Sequence, residues 1–137
     1  MSTMNKRFSG DSERGAGIVE FALILPLLMM LVFGVVQFGL LFNRQQALHA
    51  SAREGARLAA LPSATLAEIS QRSLDALDGI PMDGTPTVTI TPSVTHPCEA
   101  RLGDTVLVVV TVPTTIEIPV WGTESKILTG RGEFRCE

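Results

Sequence analysis

Tyrosine is absent from this 137-residue chain, tryptophan occurs once, at Trp121, and cysteine twice, at Cys98 and Cys136. An aromatic ligand-binding surface is therefore not expected, and Trp121 reads most simply as a core or membrane-interface side chain. No CxxC pair occurs, and the two histidines, His49 and His96, stand apart. Four ligands at metal spacing are missing even where His96-Pro97-Cys98 brings an imidazole near a thiol. There is no glycine-rich phosphate loop and no nucleophile elbow. The chain is read as a non-enzyme with no metal, no cofactor and no small-molecule substrate. Nor is there an excess of positive charge. After Pro62, five Lys/Arg stand against ten Asp/Glu. Nucleic acid rewards clustered Lys and Arg, so an acidic distal part argues against it as a partner.

Charge is also missing from one long run. Phe21 to Phe42 comprises 22 residues without a charge, and Gln37 is its one strongly polar side chain. A bilayer span needs about 20 apolar residues. A core helix of so small a soluble domain would show a polar face. A cleaved secretory signal has an apolar region of about 7–15 residues and a small-residue cleavage site. This run is longer and ends in Phe42-Asn43-Arg44. A retained membrane anchor fits best.

A single acidic residue, Glu20, opens the run, and a charge there is expensive in lipid. Gly15 precedes it by five residues in a polar stretch. Residues 1–15 read as a leader, with Lys6, Arg7 and Arg14 against Asp11 and Glu13. Arg44, Arg53 and Arg57 follow the far end, so flanking charge ties and does not set the orientation.

Residues 44–61 are rich in alanine, leucine, glutamine and arginine, all strong helix formers, and proline returns only at Pro62. The helix is predicted to continue over 16–61, about 69 Å at 1.5 Å per residue. Ala47, Leu48, Ser51, Ala52, Gly55 and Ala59 recur at three- and four-residue steps and make a narrow face suited to close packing. Pro26 predicts either a gentle bend or a local melt within the span. Gln37 favours helix–helix contact in lipid, although Gly34 and Gly39 lack the small-xxx-small spacing.

The remaining residues, 62–137, read as an α+β domain. Thr65-Leu-Ala-Glu68 is a capping-box pattern. Leu66, Ile69, Leu74 and Leu77 give the short helix an apolar face, with Gly79 as its stop. Thr87–Thr91 alternates as a half-buried strand does. Asp104–Val112 is more continuously apolar and reads as the central strand. Thr114–Trp121 alternates again, but Pro119 confines it to an edge or a break. Lys126–Thr129 and Glu133–Cys136 are candidate last pairings, with Gly122, Gly130 and Gly132 between elements. A small, mainly antiparallel sheet of three to five strands is predicted, packed on the distal half of the long helix or on the short one. If this domain lies outside the cytoplasm, Cys98 and Cys136 are expected to form a disulfide.

The run Arg14-Gly-Ala-Gly-Ile-Val-Glu-Phe-Ala-Leu-Ile-Leu-Pro26, the pair Phe38-Gly39 and Ala52-Arg-Glu-Gly-Ala-Arg57 together resemble the TadE-like family of the bacterial Tad (tight adherence) pilus and secretion machinery. The resemblance is dense over residues 14–60 and architectural beyond them. It implies a pilin-like fold and a minor pilin or pseudopilin of a type IVc pilus, serving adhesion, biofilm formation or secretion. A prepilin peptidase would cut after Gly15, making Ala16 the new N-terminus and Glu20-Phe21 the acidic–aromatic pair at mature positions five and six. It implies an inner-membrane protein with a cytoplasmic N-terminus and an extracytoplasmic domain, whose partners are other Tad pilins or pseudopilins and the peptidase. The alternative is an unprocessed bitopic membrane protein whose distal β domain binds a ligand or partner.

Overall fold

The computed structural model describes residues 11–99, 101–118 and 122–137, with the side chains of 11–14, 117 and 118 left aside. Most of the expected leader, Lys6 and Arg7 included, therefore lies outside the described residues, as do Pro119 and Trp121. The architecture is α+β, as the sequence predicts. A 49-residue helix, α1 (Asp11–Ala59), is followed by the short helix α2 (Leu66–Asp75) and three strands: β1 (Thr87–Thr91), β2 (Thr105–Ile118) and β3 (Gly122–Arg135). The chain divides into two compact units, Met1–Phe38 and Gly39–Glu137.

The first unit contributes the apolar stretch of α1. Its large side chains are exposed throughout, from Ile18 to Phe38. Helix α1 is long and apolar enough to cross a membrane. It starts five residues before the predicted position, at Asp11, because no proline precedes Pro26 to stop it. Pro26 itself lies inside an uninterrupted helix, so the local melt is not seen.

In the second unit, the predicted narrow face of α1 is the core. Leu48, Ser51, Ala52, Gly55 and Ala59 are buried, Ala56 joins them, and Ala47 is half-buried. Helix α2 starts with the predicted capping box. The Glu68 amide donates to the Thr65 hydroxyl, and the Glu68 carboxylate accepts from the Thr65 amide at 2.9 Å and its hydroxyl at 2.8 Å. Those two donations hold the Glu68 carboxyl below the usual carboxylate range, the backbone bond contributing most. Of the predicted apolar face, Ile69 and Leu77 are buried and Leu66 and Leu74 half-buried. The helix ends at Asp75, four residues before Gly79, which adopts a left-handed φ of 77°.

The sheet has three strands in the order β1-β2-β3, both pairs antiparallel. Val106, Val108, Val110 and Val112 point from β2 into the core. Two sequence expectations need correction here. Thr114–Ile118 is not a separate strand but the continuation of β2 through Pro113. The reason lies in the register. Thr111 pairs with Thr87, the first residue of β1, so two residues further on there is no β1 partner to lose a bond to proline. Likewise, Lys126–Thr129 and Glu133–Arg135 belong to one continuous strand, β3. Of the three glycines, only Gly122 marks a boundary, with a φ of 95°. The sheet packs on both helices.

Candidate processing site and assembly helix

Gly15, Ala16, Glu20 and Phe21 all lie on α1 and are exposed. Ala16 and Glu20 are four residues apart and share one helix face. Cβ atoms built on Gly15 and Gly17 would meet open space. Neither glycine is therefore required by packing here. Each weakens the helix locally by about 1 kcal/mol relative to alanine. The Gly15–Ala16 bond thus sits in a helical segment whose local unwinding is cheap. Gln37 is exposed on the same apolar stretch.

Where α1 enters the second unit, its packing depends on three further glycines. A Cβ on Gly130 would overlap the Leu48 carbonyl, and one on Gly132 would overlap the Ala52 carbonyl. One on Gly55 would overlap the hydroxyl of Ser73, which is buried on α2 and donates to Ile69 O at 3.0 Å. The spacing explains the pairing of strand and helix. Four residues of helix rise about 6 Å, and two residues of strand about 6.6 Å. Glycines two apart on β3 therefore meet carbonyls four apart on α1.

The same contact covers part of an open sheet edge. Thr129 and Arg131 aim backbone groups away from β2. Gln45 Nε2 donates to Thr129 O at 2.7 Å, and the Arg131 amide donates to His49 Nδ1 at 3.3 Å. Edge groups left bare invite foreign strands. His49 has one partner 82 residues away, Arg131, and a second one helical turn away, Gln45 Nε2, at 3.1 Å from its Nε2. Gln45 and the two β3 glycines carry no local signal of contacts so far along the chain. A glycine pair at alternate positions in a strand next to a small-residue helix face is the one trace that could have exposed them.

Ion pairs add to this junction. Arg44 pairs with Asp83, and Glu54 takes Arg72 from α2, with Arg57 at 4.0 Å. Glu54, Arg57 and Arg72, with Phe134 and Glu137, line an open cleft in which Glu54 already pairs with Arg72 and, at 4.0 Å, with Arg57. His96 Nδ1 lies 3.3 Å from Ala64 O. Among the described residues, no group of three or more His, Cys, Asp or Glu could hold a metal ion. Cys98 and Cys136 form a disulfide, their Cα atoms 5.3 Å apart, fixing the loop before β2 to the end of β3.

The sequence model of the TadE-like protein family matches residues 15–57. Over these residues the chain is similar to that family. The matched segment opens at Gly15 and closes at Arg57, two residues before Ala59, the last residue of the small-residue face. No curated protein and no solved structure matches the chain. The TadE-like segment therefore accounts for both the apolar stretch and the packed stretch of α1, whereas the α+β domain is read from its own structure alone.

Proposed function

We propose that this chain is a minor pilin or pseudopilin of a Tad-type pilus, anchored in the bacterial inner membrane by α1 with its N-terminus cytoplasmic. The observation that carries the reading is the TadE-like match over residues 15–57, which coincides with an exposed apolar helix of spanning length. Its work is assembly, not chemistry, with other Tad pilins or pseudopilins as partners. A prepilin peptidase cuts Gly15–Ala16, using the cheap unwinding that Gly15 and Gly17 allow. The new Ala16 amine then lies one helical turn from Glu20. A carboxylate near a helix N-terminus is favoured by about 0.3–1 kcal/mol. Pairing with that amine, in the same or a neighbouring subunit, offsets the cost of placing Glu20 beside lipid.

One observation favours the second reading, an unprocessed bitopic protein. The Gly15–Ala16 bond lies four residues inside α1, and recognition of a peptide by strand addition requires an extended segment. Replacing Gly15 with phenylalanine separates the two. In cells with an active prepilin peptidase, G15F is expected to run as a longer band than the wild type. Equal mobility of the two supports the unprocessed protein.

A further inference from the structure

The middle strand of the sheet is apolar on both of its faces. Thr105 to Val112 reads Thr-Val-Leu-Val-Val-Val-Thr-Val, without alternation from Val106 to Val110. β1, by contrast, alternates threonine with valine and isoleucine, as a strand with one solvated face does. Val106, Val108, Val110 and Val112 take the buried face of β2, and Gly130 and Gly132 of β3 meet α1 on that same side. Successive residues of a strand point to opposite faces. Leu107 and Val109 therefore stand on the other face, half-buried, between exposed side chains of β1 and β3.

The register orders that face into rows. Thr89, Val109 and Arg131 make one row, and Thr91, Leu107 and Glu133 make the next. Each row reads threonine, apolar, charge, and the two charges are opposite. A two-fold axis laid along the rows and midway between them, at the level of Ile90, Val108 and Gly132, turns one row onto the other. Between two copies it sets Thr89 over Thr91, Val109 over Leu107 and Arg131 over Glu133. Each contact then occurs twice, as an isologous interface requires. The flanking rows meet without like charges: Thr105 and Arg135 fall over Thr111 and Thr129, and Arg135 Nε already donates to Gly103 O at 2.8 Å. Moving the axis onto either row would instead set Arg131 or Glu133 over its own copy.

We propose that this open sheet face docks on the same face of a second copy of the chain, Arg131 opposite Glu133 and Val109 against Leu107. Facing sheets pack about 10 Å apart with their strands within about 30° of alignment. Arginine and glutamate side chains are long enough to meet across that gap. Three strands and four rows cover about 14 by 27 Å at ordinary strand spacings. That is about 400 Å² per copy, half of the ~800 Å² that each partner gives to a stable interface of standard size. The contact is therefore weak and forms between copies already held close together. It involves the second unit alone and is independent of the reading of α1.

Charge reversal on the full chain in detergent tests the pairing. Self-association is read from energy transfer between donor-labelled and acceptor-labelled copies over a rising concentration series. α1 is the same in every variant, so any association through it adds a constant background. Arg131→Glu and Glu133→Arg are each expected to weaken association about tenfold, because two attractive pairs become two repulsive ones. The R131E/E133R double variant restores opposite charges at both positions, and so does an equal mixture of the two single variants. Both are expected to associate within about threefold of the wild type. Salt at about 0.5 M should weaken the wild type and strengthen the single variants. Arg131→Gln and Glu133→Gln, which add no repulsion, are expected to weaken association about threefold. The β-sheet signal in circular dichroism reports whether each variant folds. Equal association in every variant places the contact on another surface and overturns the proposal. Wild-type chain without energy transfer at any concentration overturns it too. So does a loss in the single variants that neither the double variant nor the mixture relieves.

Discussion

Gly130 of β3 and Leu48 of α1 stand so close that a single added methyl group would overlap the Leu48 carbonyl. With Gly132 over Ala52, this makes a backbone-to-backbone seam between the TadE-like helix and the sheet. Within the second unit the seam ties the Leu48–Ala52 stretch of α1 to β3. Gly130→Ala and Gly132→Ala are each expected to destabilise the second unit by about 1–3 kcal/mol, since an overpacked site must shift its backbone. Thermal unfolding of the full chain in detergent, followed in the β-sheet signal, checks this. Ser125→Ala on exposed β3 should stay within about 0.5 kcal/mol of wild type.

The disulfide supplies a second prediction. It closes a loop between residues 38 apart in sequence. The loop-entropy account gives such a bridge about 4 kcal/mol. A domain of this size buries a small core, so the loss should be conspicuous. Reductant is expected to lower the unfolding temperature of the wild type and leave that of a Cys98→Ser/Cys136→Ser double variant unchanged. Equal temperatures for wild type and double variant without reductant would count against a stabilising bridge.

Ser51 is fully buried on α1, and its hydroxyl has no hydrogen-bond partner. Burying an unpaired hydroxyl costs about 1–3 kcal/mol, and alanine is the better helix former. Ser51→Ala is therefore expected to raise the unfolding temperature. A lower temperature would show that the hydroxyl is bonded in the folded protein.

Glu68 gives the pH prediction. Its carboxyl is held below its ordinary value of 4.5 by the Thr65 amide and hydroxyl, with His96 adding a smaller pull. A folded pKa below the unfolded one gives stability that is complete above about pH 4.5 and is lost as pH falls through the folded value. The stability gap between wild type and Glu68→Gln should hold steady at neutral pH and narrow below about pH 4.5. A gap independent of pH down to acid would mean that the capping box does not depend on the carboxylate.

Much of this was legible in the sequence. The apolar helix of spanning length, the small-residue face from Leu48 to Ala59, the Thr65–Glu68 capping box and the Thr87–Thr91 strand all follow from patterns of a few adjacent residues, where local chemistry decides. The path through Pro113 was not. A proline reads as a break until the register shows that β1 has already ended beside it. Gly130 and Gly132 read as turns for a similar reason. Their missing side chains answer to carbonyls on a helix some 80 residues earlier in the chain, and no local pattern records that. At the proposed processing site, the residue pattern is plain in the sequence, while the helical setting of the bond became visible only in the structure.

The account turns on cleavage between Gly15 and Ala16, and the most direct measurement is the N-terminal sequence of the chain extracted from membranes of cells with an active prepilin peptidase. The account predicts a chain that begins at Ala16, with Glu20 as its fifth residue. A membrane-extracted chain that still carries Gly15 and the residues before it would contradict the account.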